Sequence, residues 1–410
     1  MPSSPPDRGS PVVTGIGVAT AFGYGKQSFC DGLFSPRNVF GVLSRPGRQC
    51  PEPAAPFIGT ELPEPPQILS ARVARTTGLT GQVAIAVLDE AWREAGLDAI
   101  DPERIGLVVG GSNLQSREHL LMQQVFASRL PYMLPRHGYG FFDTDLCGLC
   151  ASSFAIRGFA YTVGGASASG ALAVLQAADA VRSGRVDVCI ALGALQDVSY
   201  YELQGLRATG AMGSTRFEPE QACRPFDRDR DGFIFGESCA ALVIRRSDAG
   251  PDVRSYGSIA GGAHVANGNR STDPSLAGEV RAIRMALADA GLSAADIDYV
   301  NAHGTGTALG DDTEMAAYRE VGLVNAGINS TKSIIGHGLC AAGTVELAAV
   351  LLQMCEGRLH ASRNLDNPID SALRFITGAP EPHAIRNALK LSFGFGGIDT
   401  AIVVRAPDSN

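Results

Sequence analysis

No block of basic residues occurs in this 410-residue chain, and no unbroken apolar run in it reaches the length needed to span a bilayer. Lys and Arg number 34 against 42 Asp and Glu, a net charge of −8, so a partner whose phosphates must be neutralised is not expected. That argues against nucleic acid, and the missing apolar run argues against a membrane span. The opening residues 1–10 are polar and proline-rich, with no basic segment leading into an apolar core, so no signal peptide is read there. Nine scattered cysteines, an odd number, fit reduced thiols in a cytoplasmic protein better than a disulfide framework. Cys147 and Cys150 form a C-x-x-C pair without two further ligands at suitable spacing, so they read as small buried hydrophobes and no metal is expected.

What is present is an ordinary globular composition: 45% hydrophobic and 19% charged residues, too apolar for a disordered chain. Apolar strands alternate with amphipathic helices across Gly-rich joints, which predicts an α/β layered protein. The β-branched run Val12-Val-Thr-Gly-Ile-Gly-Val18 lacks the third glycine of a dinucleotide fingerprint. Helical spacing over residues 80–95 ends at Gly96, and residues 105–109 read as a buried strand. A similar unit recurs: Ala91-Trp-Arg-Glu-Ala-Gly-Leu97 before Ile105-Gly-Leu-Val-Val109 is echoed by Ala286-Leu-Ala-Asp-Ala-Gly-Leu292 before Ile297-Asp-Tyr-Val300. Two similar halves are therefore expected, residues 1–250 and 251–410, joined at about residues 247–251. The proline-rich residues 46–66 read as a surface excursion.

Three segments hold candidate chemistry. Tyr161-Thr-Val163, Gly164, Gly165 and a helical stretch over residues 169–182 place Ser167 at a strand-to-helix turn. Unpaired N–H groups at such a helix start favour a developing oxyanion, although Ser167 equally reads as a plain helix cap. Asn301-Ala-His-Gly-Thr-Gly-Thr307 sets His303 among glycines and hydroxyls. Ser330-Thr-Lys-Ser-Ile-Ile-Gly-His337 sets Lys332 and His337 ahead of an Ala-rich helix carrying Glu346. Two histidines in separate Gly-rich loops, with a Lys and a Glu near, suit the polarising of a carbonyl. Asp227-Arg-Asp-Arg-Asp-Gly232 mimics a calcium loop, but position twelve is Ser238 and Glu237 falls one residue early, so it reads as a turn with Arg–carboxylate pairing.

On these motifs the chain resembles the β-ketoacyl synthases of fatty acid and polyketide biosynthesis. The matching segments are residues 12–18 as the opening strand, Arg224-Pro-Phe-Asp227 with Arg230-Asp-Gly-Phe233 as the central loop, the two histidine motifs, and Ser392-Phe-Gly-Phe-Gly-Gly397 as the gating loop with Phe395. The resemblance implies a five-layered αβαβα thiolase fold with two pseudo-symmetric halves, usually a homodimer. It also implies acyl substrates carried on the phosphopantetheine arm of acyl carrier protein, with Thr305 and Thr307 along that arm and no other cofactor.

Two departures stand out. The family's Thr-Ala-Cys nucleophile motif is Gly165-Ala-Ser-Ala-Ser-Gly170 here, so Ser167 replaces the cysteine, and Ile398-Asp399 replaces Thr-Asn after the gating glycines. A serine hydroxyl is far less acidic than a thiol and normally needs an adjacent base. The resemblance then implies a site that forms an enolate through His303 and His337 but captures no acyl partner. That is similar to the stand-alone decarboxylating ketosynthases of β-branching cassettes, which turn malonyl-carrier into acetyl-carrier for an HMG-synthase-like enzyme. The alternatives are a condensing enzyme or acyltransferase acylated on Ser167, and a non-catalytic partner like a chain-length factor.

Overall fold

The computed structural model describes residues 9–52, 54–248 and 255–407. The polar start through residue 8, and the expected joint from residue 249 through 251, lie outside the described residues. Ten strands carry the architecture: β1 (Pro11–Thr20), β2 (Ile105–Gly110), β3 (Phe159–Val163), β4 (Val188–Gly193), β5 (Cys239–Arg246), β6 (Gly257–Ala266), β7 (Tyr299–Asn301), β8 (Gly327–Asn329), β9 (Asn387–Gly394) and β10 (Ile398–Arg405). Their lateral order is β8-β7-β9-β10-β6-β1-β5-β4-β2-β3. Counted outward from the centre, both groups of five place their strands in the same sequence, first, fifth, fourth, second, third. Directions also match: β2 runs parallel to β3 and β4, as β7 does to β8 and β9, and the other pairs within each group are antiparallel. The two groups meet at Val12↔Ser258 and Val13↔Gly257 between β1 and β6.

Helices complete five layers. α1 (Leu79–Ala95) and α2 (Thr144–Ser153) cover the outer face of the first sheet, α3 (Ser169–Arg182) and a later central helix lie between the sheets, and α4 (Leu276–Asp289) with α5 (Ala308–Val321) cover the second. The central helix beside α3 is α6 (Ala342–Glu356), which touches β5 on one side and β9 on the other. α1 buries the stripe Val83, Val87 and Ala91 on β1 and ends at Gly96, whose φ of 63° is the left-handed stop expected of glycine. α6 is buried on nearly every side because a sheet faces it from both directions. Residues 339–356 are long and apolar enough by composition to cross a membrane, but the run is not unbroken and 78% of that window is buried in the fold. Glu346 interrupts the run and hides its length, and the segment is a core helix. Where α3 and α6 cross, a Cβ on Gly343 would stand 2.3 Å from the Ala171 nitrogen, so only glycine permits that approach.

Residues 46–66 are a surface excursion only in part: residues 51–52, 54–56 and 63–64 are exposed, while others turn inward. Arg48 and Phe57 are fully buried, and the short strand Ile58–Thr60 pairs with Phe235–Gly236. Arg48 is held by Asp197 at 3.0 Å and Glu237 at 2.5 Å, and Thr60 Oγ1 donates to the Ile335 carbonyl at 2.7 Å. The arginine looked solvent-bound because its carboxylate partners lie 149 and 189 residues away in sequence. The segment buttresses the His337 loop. Cys147 and Cys150 are buried in α2, with Cys147 Sγ against Thr162 Oγ1 at 3.3 Å.

Candidate active site

Ser167 stands in the short turn Ala166–Ala168 between β3 and α3. Ala166 takes a φ of 46°, a left-handed conformation that costs a non-glycine residue about 1 kcal/mol or more and pushes the next side chain out of the turn. No side chain caps α3, whose N-cap is Ala168; the Ser169 hydroxyl instead ties the turn together, accepting from the Gly165 N–H at 2.9 Å and donating to the Ala166 carbonyl at 2.7 Å. Ser167 Oγ is left free to meet His337 Nε2 at 2.8 Å.

His337 follows the one-turn helix Lys332–Ile335 and Gly336, and its backbone is pinned to Ile234 and Gly236. The Leu339 N–H donates to His337 Nδ1 at 3.2 Å. An imidazole nitrogen that accepts carries no proton, so the ring's hydrogen is on Nε2, aimed at Ser167 and the cavity. His303 caps the end of β7, where Glu314 on α5 accepts from the N–H groups of His303 at 2.7 Å and Gly304 at 2.8 Å. Lys332 Nζ donates to the His303 carbonyl at 2.5 Å and lies 3.3 Å from His303 Nδ1, so here too Nδ1 accepts and Nε2 keeps the hydrogen. The rings stand edge-on, centroids 5.7 Å apart, with Phe393 against His303 and Phe233 against His337. Burial first, then the Lys332 charge, hold both histidines well below their ordinary pKa, so both are neutral near pH 7.

The cavity, about 660 Å³, is lined by Ser167, His303, His337, Thr305, Thr307 and Phe395, so the structure brings together all the expected side chains except Lys332. Lys332 lies beneath, paired with Glu346 at 2.6 Å. Thr305 Oγ1 meets Thr307 Oγ1 at 3.0 Å. Asp399, the second departure from the family pattern, is buried in the wall and accepts from Asn267 Nδ2 at 2.9 Å. The Asp227 turn is built as read: Arg224 pairs with Asp227 at 3.3 Å, and Asp227 Oδ2 accepts from the backbone of Asp366 and Asn367.

Sequence reasoning missed Glu314, Asp311, Lys390 and Glu279. Asp311 accepts from the Thr305 and Gly306 N–H groups at 3.1 Å, and burial pushes its pKa up to about 7. Two acids three apart just after a Gly-rich loop were the available signal for that pair, since a carboxylate there meets both backbone N–H groups and the helix start. Lys390 lies in the otherwise apolar β9 and pairs with Glu346 at 2.8 Å. Glu279 lines the cavity from α4, is 1% exposed, and leaves Oε2 without a hydrogen-bond partner. Burial, then the Glu314 charge, lifts its pKa well above the carboxylate range.

Against known proteins, residues 10–249 match the β-ketoacyl synthase N-terminal domain and residues 256–366 the β-ketoacyl synthase C-terminal domain. The chain belongs to the β-ketoacyl synthase family. Among relatives of this ketosynthase, the polyketide biosynthesis malonyl-ACP decarboxylase PksF of Bacillus subtilis is 50% identical, over 96% of each chain. The tetracenomycin polyketide synthase ketoacyl synthase alpha subunit of Streptomyces glaucescens is 30% identical over 97% of each. A solved type II polyketide ketosynthase in complex with its acyl carrier protein superposes with a TM-score of 0.85 at 27% identity, over 98% of this chain and all of that one. The thiolase fold of the ketosynthases is therefore the fold of this protein.

Proposed function

We propose that this ketosynthase is an enzyme of polyketide biosynthesis that decarboxylates malonyl-acyl carrier protein to acetyl-acyl carrier protein. The observation that carries the reading is the hydrogen placement on the two imidazoles. Each accepts at Nδ1, so each presents Nε2–H to the cavity, and neither is free to take a proton from Ser167. Two preorganised donors suit a thioester oxygen that gains negative charge. As the bond from C2 to the carboxylate breaks, its electrons pass to that oxygen, carbon dioxide leaves, and a proton from solvent closes C2 to a methyl group. Condensation needs an acyl group held on a nucleophile, and a serine without a base is a poor one at neutral pH. The 50% identity to the malonyl-ACP decarboxylase of Bacillus subtilis supports the same reaction.

The substrate then arrives on the phosphopantetheine arm of a carrier protein, with Thr305 and Thr307 along the arm and Phe395 as gate. An HMG-synthase-like enzyme of a β-branching pathway in the cytoplasm would consume the acetyl-carrier. A second copy of the chain is the expected partner at β3, the outermost strand of its sheet.

Intact-protein mass spectrometry after incubation with malonyl-carrier tests the reading. The carrier should lose the mass of carbon dioxide while the enzyme mass stays unchanged. An acyl mass on the enzyme would instead make Ser167 a nucleophile, and an unchanged carrier would favour a non-catalytic partner.

A further inference from the structure

Beneath the histidines one carboxylate serves two ammonium groups. Glu346 Oε1 is 2.6 Å from Lys332 Nζ and its Oε2 is 2.8 Å from Lys390 Nζ, with all three side chains nearly completely buried. Lys390 is fixed from its own strand as well, donating to Ser392 Oγ at 2.9 Å and to the Leu391 carbonyl. Lys332 spends its remaining contacts on His303, at the carbonyl and at Nδ1. A lone Lys–Glu pair would be neutral, and the second lysine adds one positive charge to this triad, which the nearby Glu314 carboxylate offsets in part.

We propose that Lys390 is a charge-setting, positioning residue of the site: by engaging Glu346 it adds one positive charge beneath His303 and His337, where the thioester oxygen turns into an enolate. The inference rests on the decarboxylase reading above. A positive charge that approaches no solvent acts through a weakly screening interior, on the oxygen and on the rings alike. Both histidines feel it, since the charges of Lys332 and then Lys390 add to burial in holding them neutral, the form in which Nδ1 can accept. The device also explains an otherwise costly feature, a lysine in the apolar core of a strand two residues before Ser392 and three before Phe393, against which His303 packs.

The groups facing Lys390 are Glu346 on α6 and Glu314 on α5, which favour its charge, and Lys332, which opposes it. Burial outweighs them and brings its pKa down to about 8. The charge is therefore nearly full below about pH 7, half lost at about pH 8 and gone as pH rises further. As a general magnitude, a unit charge about 8 Å from a developing unit charge changes a rate about 30-fold at an effective dielectric of about 20.

The experiment measures acetyl-carrier formation from malonyl-carrier between pH 6 and 9.5 for the wild type, Lys390→Met and Lys390→Arg. The wild type should lose kcat above pH 8. Lys390→Met, which leaves Glu346 to Lys332 alone, should show kcat about 30-fold lower, KM within about twofold, and no fall near pH 8. Lys390→Arg, charged throughout, should keep the rate and lose the fall. A folded Met variant within about threefold of wild type, with the same alkaline limb, overturns the inference. Should the Met variant not fold, an alkaline limb that persists in the Arg variant overturns it as well. A wild type that leaves malonyl-carrier intact overturns the decarboxylase reading and this inference together, whereas an active wild type indifferent to Lys390 overturns the inference alone.

Discussion

The turn that carries Ser167 and the turn that carries His337 occupy corresponding places, each between the third strand of its sheet and a central helix. The first is five residues long (164–168), the second twelve (330–341). Around Ser167 the turn offers Ala166, Ala168, Gly165 and the hydroxyl of Ser169, which bonds back to the turn. Around His337 the second turn holds a one-turn helix and a buried polar network: Asn301 Nδ2 donates to Thr331 Oγ1 at 2.9 Å, Thr331 Oγ1 meets His360 Nε2 at 3.1 Å, and Asn329 Nδ2 donates to Gln353 Oε1 at 3.0 Å. The repeated strand order supplies matched positions, and the buried charge and amides of one half supply the chemistry. A hydrogen-bonded polar network fixes side-chain orientation more tightly than apolar packing does, which is what two hydrogen-bond donors converging on one oxygen require.

The comparison breaks first on stability. Glu346→Ala strands two buried ammonium groups and should destabilise the fold by about 3–5 kcal/mol, read from urea unfolding. Ser169→Ala in the other turn should cost only about 1 kcal/mol, the worth of a hydrogen bond within the turn. Equal costs would mean that charge is not what separates the turns.

Turnover separates them next. His303→Ala and His337→Ala should each lower decarboxylation about 10²–10³-fold by removing one oxyanion donor. Ser167→Ala removes a hydroxyl without a base and should keep the rate within about tenfold, below the worth of general acid–base help. An inactive Ser167→Ala together with an acylated wild-type enzyme would reverse the assignment. Ser167→Cys sharpens the contrast: a thiol at this turn ionises near neutral pH, so the variant should gain an acyl mass from malonyl-carrier that the wild type does not.

The smallest effect concerns Glu279, whose unpartnered carboxyl faces the cavity. Its folded-state pKa is raised, so the folded protein binds the extra proton; the stability it contributes is full below about pH 4.5 and is lost as pH rises through the raised value. Glu279→Gln removes that dependence. Between pH 5 and 8 the wild-type Tm should fall relative to that of the variant, and parallel Tm curves would show that the carboxyl does not titrate in this range.

Much of this was legible in the sequence because it is local. A strand of β-branched residues, two glycines and a run of helix formers placed Ser167 at its turn, and Gly-rich loops placed His303 and His337 at strand ends. The reading of Ser167 as a plain helix cap stayed open in the sequence, and only the direction of the turn at Ala166, which sends its hydroxyl to His337 and leaves α3 without a side-chain cap, decides against it. Residues 46–66 were partly misread because burial of Arg48 depends on Asp197 and Glu237, which local pattern cannot reach. Lys390 and Glu279 escaped notice for the same reason, each being a single charged residue in an apolar element, where a solvated face is the ordinary reading.

By itself the sequence determined the α/β architecture, the repeated helix-to-strand unit and the side chains available for chemistry, because strand and helix periods, glycine stops and short motifs are fixed by neighbours along the chain. Only the tertiary structure decided which nitrogen of each histidine carries its hydrogen, that Ser167 has no base, and that Lys332 and Lys390 share Glu346. Those facts depend on contacts between residues up to 170 positions apart, and on the low dielectric that forms only when two sheets close over the central helices.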